Sequence, residues 1–152
     1  MIDKDLYNKI IQVMPIPCVD IIIGDRLNNI LLIKRMNEPA IGQWWFPGGR
    51  ILFKEKRTEA VERIVFKECG IAASPKTEMG TYDLFLPIAG GTSISHAVTT
   101  LYYVQVESLH TLAIRLDDQS GFFQIHKMNM WSKKNLHHFI KMSLDKLKDL
   151  II

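Results

Sequence analysis

The chain has 152 residues, of which 47% are apolar and 23% are charged, a composition typical of a globular protein and unlike that of disordered or fibrous chains. This length predicts a single domain over residues 1–152. The formal net charge of +3 is too small to indicate nucleic-acid binding, and no apolar run approaches the roughly 18 residues that a membrane span requires.

The first five residues lack the basic start and the apolar core of a signal peptide, so we expect a cytoplasmic protein. Cys18 and Cys69 have neither the spacing of a zinc site nor that of a disulfide framework, and both stand in apolar surroundings. We therefore expect two free thiols in a reducing compartment.

Turn residues and apolar periodicity predict nine elements in the order α-β-β-β-α-β-β-β-α. In chain order they are helix 3–14, strands 19–23, 30–33 and 44–46, helix 59–69, strands near 79–86, 97–107 and 121–131, and a helix within 132–152. The first two strands are predicted to form a hairpin. Thr58 is predicted to cap the second helix, and Glu59 and Arg63 to form an i,i+4 salt bridge on it. This order predicts an α/β protein with a mixed sheet covered by helices on both faces.

One acidic residue of the second helix lies on its apolar stripe. Positions 61, 64 and 65 are apolar, and the next position of the same stripe is Glu68. A carboxylate there is costly unless a cation meets it, either a divalent metal ion or a structural Arg or Lys. The preceding loop, Pro47-Gly48-Gly49, favours the metal, because it exposes backbone carbonyls, which are hard oxygen ligands suited to Mg²⁺.

The segment from Gly48 to Ile71 resembles the Nudix box, G-x5-E-x7-R-E-U-x-E-E-x-G-U, where U is aliphatic. The matching residues are Gly49, Glu55, Arg63, Val65, Glu68, Gly70 and Ile71. Two box glutamates are replaced, by Ile64 and Lys67, and this reduced box resembles the GDP-mannose mannosyl hydrolase branch of the family. The resemblance implies a Nudix α/β/α sandwich and one Mg²⁺ (or Mn²⁺) ion that bridges a diphosphate. It also implies structural roles for Gly49, Glu55, Arg63 and Gly70.

The resemblance to this branch runs from Pro17 to about Trp131. It includes Lys34-Arg35, the run Asn37-Glu38-Pro39-Ala40-x-Gly42-x-Trp44, and Pro47-Gly48-Gly49-Arg50. It implies that four residues contact the substrate: Asp20, Arg35, Arg50 and Tyr102. It implies three Mg²⁺ ligands: the Gly48 carbonyl, Glu68 and Gln119. Arg35 and Glu68 are thereby the predicted catalytic residues. Arginines suit this role because one Mg²⁺ does not neutralise a whole diphosphate.

Two positions depart from the branch. Its motif D-x-Q-H, whose histidine is the general base, is here Asp117-Asp118-Gln119-Ser120, and Leu84 replaces a second histidine. A neutral serine cannot act as a base near pH 7, and loss of a general base typically costs roughly 10²- to 10⁴-fold in rate. Either another group substitutes for this base, or the protein binds a sugar-nucleotide and turns it over slowly. His96 and His126 are the histidines nearest in sequence to the relevant strands.

These observations favour a Mg²⁺-dependent hydrolase of a nucleoside diphosphate-linked substrate, above all a GDP-sugar such as GDP-mannose, cleaved to GDP and the sugar. One alternative is a Nudix enzyme that attacks phosphorus in another nucleoside diphosphate derivative. A second is a catalytically degenerate nucleotide-sugar binding protein. We also expect a homodimer, from the branch resemblance and because the first helix has few obvious partners for its apolar face.

Overall fold

A computed structural model of the protein describes residues 2–88, 93–117 and 120–151, with Ser120 described for its backbone alone. The helices are α1 (Lys4–Ile10), α2 (Arg57–Cys69), α3 (Met128–Trp131) and α4 (His138–Ile151). The strands are β1 (Ile16–Asp25), β2 (Asn29–Arg35), β3 (Trp44–Trp45), β4 (Gly48–Arg50), β5 (Thr77–Ile88), β6 (Ser93–Val106) and β7 (Ser120–Lys127). A short 3₁₀ turn spans Leu109–Thr111.

The strands form one mixed sheet with the order β3-β2-β1-β6-β5, while β4 also pairs with β1 and β7 with β2. β1 and β2 pair antiparallel, which confirms the predicted hairpin. β1 runs parallel to β6 over its whole length and antiparallel to the short strand β4. The central strand therefore has β6 on one side and both β2 and β4 on the other.

Helices cover both faces of this sheet. On the face toward α4, Ile22 and Leu32 pack with Phe139 and other residues of that helix. On the face toward α2, Ile21 packs with Val65 and its apolar neighbours. Successive side chains of a strand point to opposite faces, so β1 contributes to both cores in alternation. This architecture confirms the predicted α/β/α sandwich. No described helix is long and apolar enough to cross a membrane.

The start of α2 differs from the prediction. The helix begins at Arg57, so Thr58 is not its cap. The Glu59 carboxylate instead accepts the backbone N–H of Lys56 at 2.7 Å. Glu59 is thus occupied at the helix start, and the predicted Glu59–Arg63 pair is wrong because Arg63 binds Glu55.

Elements at the two ends of the chain are shorter than predicted. α1 ends at Ile10, and Asp3 caps its start by accepting the N–H of Leu6 at 3.0 Å. The last strand ends at Lys127 and is followed directly by α3, and α4 begins only at His138. The two cysteines form no disulfide, as predicted.

Candidate functional site

Two adjoining cavities lie where β1, β4 and the loop after β2 meet. The larger has a volume of about 530 Å³ and the smaller about 250 Å³. They share Arg35, Glu38 and Gly48 in their walls. Asp20 and Arg50 line the larger cavity. A third cavity of about 520 Å³, beside α4, is lined by none of the predicted site residues. We therefore place the candidate site at the shared wall.

The smaller cavity contains Glu68, near the end of α2. Its carboxylate accepts the backbone N–H of Gly48 at 3.3 Å, which confirms the predicted proximity of Glu68 to the glycine loop. Burial raises the pKa of Glu68 to about 7, and the negative charge of Asp117 adds to this rise, while the Gly48 N–H and Arg35 oppose it. The group therefore gains strongly from any cation that enters the cavity.

The groups around Glu68 suit a hard divalent cation. Within the described residues no cluster of three or more His, Cys, Asp or Glu could hold a metal by side chains alone. Gly48 lies in β4, and the N–H and C=O of a strand residue point to the same side, so its carbonyl lies on the Glu68 side. One carboxylate with a backbone carbonyl fits Mg²⁺, which takes one or two carboxylates and completes its shell with water and phosphate oxygens.

Asp20 is a buried carboxylate in the wall of the larger cavity, 7% exposed. Its Oδ2 accepts the hydroxyl of Thr99 at 2.7 Å, and its Oδ1 accepts the indole N–H of Trp45 at 3.3 Å. Burial raises its pKa, whereas the Thr99 hydrogen bond, the charge of Arg35 and the Trp45 hydrogen bond oppose that rise. A Cβ on Gly48 would lie 2.6 Å from Asp20 Oδ1, so position 48 admits only glycine if Asp20 keeps its place.

Two arginines line the larger cavity in different ways. Arg35 is held by the loop that follows it, since its Nε donates to the Pro39 carbonyl at 2.7 Å. Arg50 has its guanidinium 4.4 Å from the ring centre of Tyr7, a cation–π contact with α1. Among the described residues, no group accepts a hydrogen bond from its Nη1, which is buried. A buried guanidinium N–H without an acceptor indicates a place for an anionic ligand.

The remaining box residues support this site from behind. Arg63 donates to Glu55 from Nε at 2.6 Å and to the Arg50 carbonyl from Nη2 at 3.0 Å. Glu55 also accepts the N–H of Leu52, and the Arg63 hydrogen bond holds the pKa of Glu55 below its usual range. Gly70 ends α2 with a φ of +70°, the left-handed conformation that glycine adopts most readily. These contacts favour the predicted structural roles.

One predicted site residue, Tyr102, does not join this group. Tyr102 is buried in the core under α2, on the opposite face of the sheet from Asp20, and lines neither cavity. Gln119 lies outside the described residues. The backbone of Ser120 pairs with that of Arg35 across β7 and β2, which brings position 120 beside the site.

The histidines considered as substitute bases lie unfavourably. His96 belongs to the wall of the larger cavity, but its ring contacts Asp83 at 3.2 Å and stacks on Phe85. Leu84, between those two residues, lines the cavity, and alternation along β5 turns Asp83 and Phe85 to the other face. The His96 ring therefore points away from the cavity. His126 packs against Trp131 and lines neither cavity.

Three neighbours of the site were not predicted from the sequence. Trp45 and Thr99 bind Asp20, and Tyr7 contacts Arg50. The aromatic run before the glycine loop is a signal for Trp45. Thr99 has no local signal, because its contact with Asp20 depends on the pairing of β1 with β6.

Comparisons with known proteins agree with this fold. A model of the NUDIX domain matches residues 14–141. The chain is 26% identical over 148 residues to the low-salt glycan biosynthesis protein Agl8 of Haloferax volcanii, covering 96% of this chain and 90% of that protein. It is 38% identical over 79 residues to the ADP-ribose pyrophosphatase of Methanocaldococcus jannaschii, covering 52% of this chain and 46% of that enzyme. A MutT NUDIX hydrolase from Burkholderia pseudomallei superposes with a TM-score of 0.71 at 26% identity, covering 88% of this chain and 98% of that one.

Proposed function

Because the chain belongs to the Nudix family and is a hydrolase of that family, we propose that it hydrolyses a nucleotide-sugar, most specifically GDP-mannose, to GDP and the free sugar. The observation that carries this proposal is the buried Nη1 of Arg50, which has no acceptor among the described residues although it lies at a cavity wall. A diphosphate supplies the acceptor that this guanidinium lacks. The similarity to a glycan biosynthesis protein over 96% of the chain supports a sugar-linked substrate.

The residues around the two cavities have distinct tasks in this reaction. Glu68 and the Gly48 carbonyl, with Gln119, would hold Mg²⁺, which neutralises charge on the diphosphate and improves it as a leaving group. Arg35 and Arg50 bind the diphosphate from the larger cavity, and the Pro39 carbonyl keeps Arg35 in place. Asp20 contacts the sugar-nucleotide in the same cavity. Water attacks C1 of the sugar and releases a proton to solvent, the bond from C1 to the diphosphate oxygen breaks, and GDP leaves.

Attack on phosphorus is the second candidate, favoured by the similarity to an ADP-ribose pyrophosphatase. The two routes differ in the product that acquires the oxygen of water. Hydrolysis of GDP-mannose in ¹⁸O-water with Mg²⁺, followed by mass spectrometry, distinguishes them. Label in mannose supports the proposal, label in a phosphate supports attack on phosphorus, and absence of turnover contradicts both for this substrate.

We also propose that the protein forms a homodimer. α1 has no buried residue, and the apolar side chains of Leu6 and Val13 are 49% and 78% exposed. A second copy would cover this surface. Sedimentation equilibrium at micromolar concentration measures the mass directly, and a single species near the chain mass of 17.5 kDa contradicts the proposal.

A further inference from the structure

Asp20 is held by two hydrogen-bond donors that come from different strands. Thr99 on β6 donates to Oδ2 at 2.7 Å, and Trp45 on β3 donates to Oδ1 at 3.3 Å. Each carboxylate oxygen thus receives one hydrogen bond, and both donors are buried. A carboxylate has about four acceptor positions, so about two remain for a ligand.

These contacts are not needed to hold the strands together. β1 and β6 already pair along the backbone from Ile16 to Asp25, and β3 is held by β2. A buried charge whose partners could be replaced by packed apolar residues seldom contributes to stability. Asp20 also lies in a cavity wall rather than inside a core. Its burial with two donors is therefore better explained by recognition of a ligand than by strand association.

The position of Asp20 restricts the part of the ligand that it can meet. Asp20 is the register partner of Gly48, and its Oδ1 is 2.6 Å from where a Cβ of that glycine would be. Gly48 also contacts Glu68, so Asp20 lies beside the region where metal and diphosphate would bind. In a nucleotide-sugar both the glycosyl group and the ribose are bonded directly to the diphosphate, whereas the base lies beyond the ribose, and GDP carries the ribose but not the glycosyl group. The neighbouring donor group is then a sugar hydroxyl.

We propose that Trp45 and Thr99 are positioning residues that together orient the Asp20 carboxylate to accept hydrogen bonds from hydroxyl groups of the glycosyl unit. This inference rests on the proposed function, since it needs a glycosyl diphosphate in the larger cavity. Loss of either donor lets the carboxylate rotate and weakens binding of the sugar. The diphosphate contacts of Arg35 and Arg50 do not involve these donors and are retained.

The test compares two ligands, GDP-mannose and GDP, in the presence of Mg²⁺. Trp45→Phe keeps a ring against Phe139 but removes the indole N–H, and Thr99→Val keeps the side-chain shape but removes the hydroxyl. Removal of a hydrogen bond to a charged group is expected to raise the KM for GDP-mannose roughly tenfold in each variant, with the inhibition constant of GDP unchanged within about twofold. Thr99→Ser restores the hydroxyl and should recover the affinity that Thr99→Val loses.

Thr100→Val is the matched control, because Thr100 is also buried on β6 but bonds to Thr81 on the other face. Thermal melting confirms that each variant is folded. Equal losses for GDP and GDP-mannose overturn the inference, because Asp20 would then act on the nucleotide, and unchanged GDP-mannose affinity in both variants also overturns it. Wild-type protein without affinity for GDP-mannose overturns the proposed function, and this inference with it.

Discussion

The fold treats two groups of charged side chains differently. Behind the glycine loop, Glu55 and Arg63 satisfy each other at 2.6 Å and fix the loop backbone through the Arg50 carbonyl. In the cavities, the Glu68 carboxylate accepts the backbone N–H of Gly48 at 3.3 Å, and Arg50 keeps a buried Nη1 without an acceptor among the described residues. The first group is complete within the chain, whereas for the second we propose a cation beside Glu68 and an anionic ligand beside Arg50.

The largest effect is expected where the site needs a cation. Glu68→Gln keeps the shape of the side chain and removes the charge. Mutation of residues that only orient metal ligands typically costs roughly 10- to 100-fold in metal affinity or activity. Loss of a direct ligand should cost more, so we expect Mg²⁺-dependent hydrolysis to fall roughly 10²- to 10³-fold. Mg²⁺ titration of the activity measures the loss. Glu62→Gln is the control, because Glu62 is an exposed glutamate of the same helix. Equal Mg²⁺ dependence in both variants would falsify the assignment of Glu68 as a ligand.

The second effect concerns stability without metal. The folded pKa of Glu68 is raised to about 7 from 4.5, so between these values the folded state binds more protons than the unfolded state. The contribution of Glu68 to stability is therefore greatest below about pH 4.5 and is lost as the pH rises through about 7. A shift of this size corresponds to roughly 3 kcal/mol.

Urea unfolding of metal-free wild type and Glu68→Gln at several pH values measures this contribution. The free energy of unfolding of the wild type should fall relative to that of the variant as the pH rises. Mg²⁺ should restore the wild type at neutral pH but not the variant. Parallel pH profiles for the two proteins would show that Glu68 has an ordinary pKa and that the cavity does not need a cation.

The third effect concerns Arg50, which we propose binds the diphosphate. Arg50→Ala removes the guanidinium with the unused N–H, and GDP should bind roughly tenfold more weakly, the effect of losing a hydrogen bond to a charged group. Isothermal titration calorimetry with GDP and Mg²⁺ measures it. Arg26→Ala removes an arginine whose exposed partner is Glu107, away from both cavities, and should leave the affinity unchanged. Similar GDP affinity in the two variants would contradict a diphosphate role for Arg50.

The sequence predicted the parts of this molecule that depend on local spacing. The β1–β2 hairpin follows from two apolar runs around a polar turn, and the approach of Glu68 to Gly48 follows from the box spacing. The sequence-based prediction was wrong where a residue outside the helix competes with one inside it for the same partner. Arg63 has a glutamate one turn earlier on its own helix, yet it binds Glu55, which the loop brings back toward it.

Long-range register explains the other omissions. Thr99 is 79 positions from Asp20, and their contact depends on the exact pairing of β1 and β6. Tyr102 falls on the face opposite to Asp20 because side chains alternate along β6. A strand can be predicted from its sequence without knowledge of its register. The face on which each side chain lies depends on that register, and a one-residue shift would exchange the faces of Thr99 and Tyr102.

The smallest effect is expected for the pair that is complete within the chain. Glu55→Gln keeps an acceptor for the Leu52 N–H but removes the charge that binds Arg63, and should lower the free energy of unfolding by about 1 kcal/mol near neutral pH. The folded pKa of Glu55 is lowered, so its contribution is present above the unfolded value and is lost as the pH falls through the folded one. Its dependence on pH is opposite to that of Glu68.

Urea unfolding of wild type and Glu55→Gln should therefore give free energies of unfolding that converge at acid pH, with Glu62→Gln following the wild type throughout. If instead Glu55→Gln lost Mg²⁺ affinity and kept its stability, Glu55 would belong with the groups that need an external ion, and the division between the two groups would be wrong.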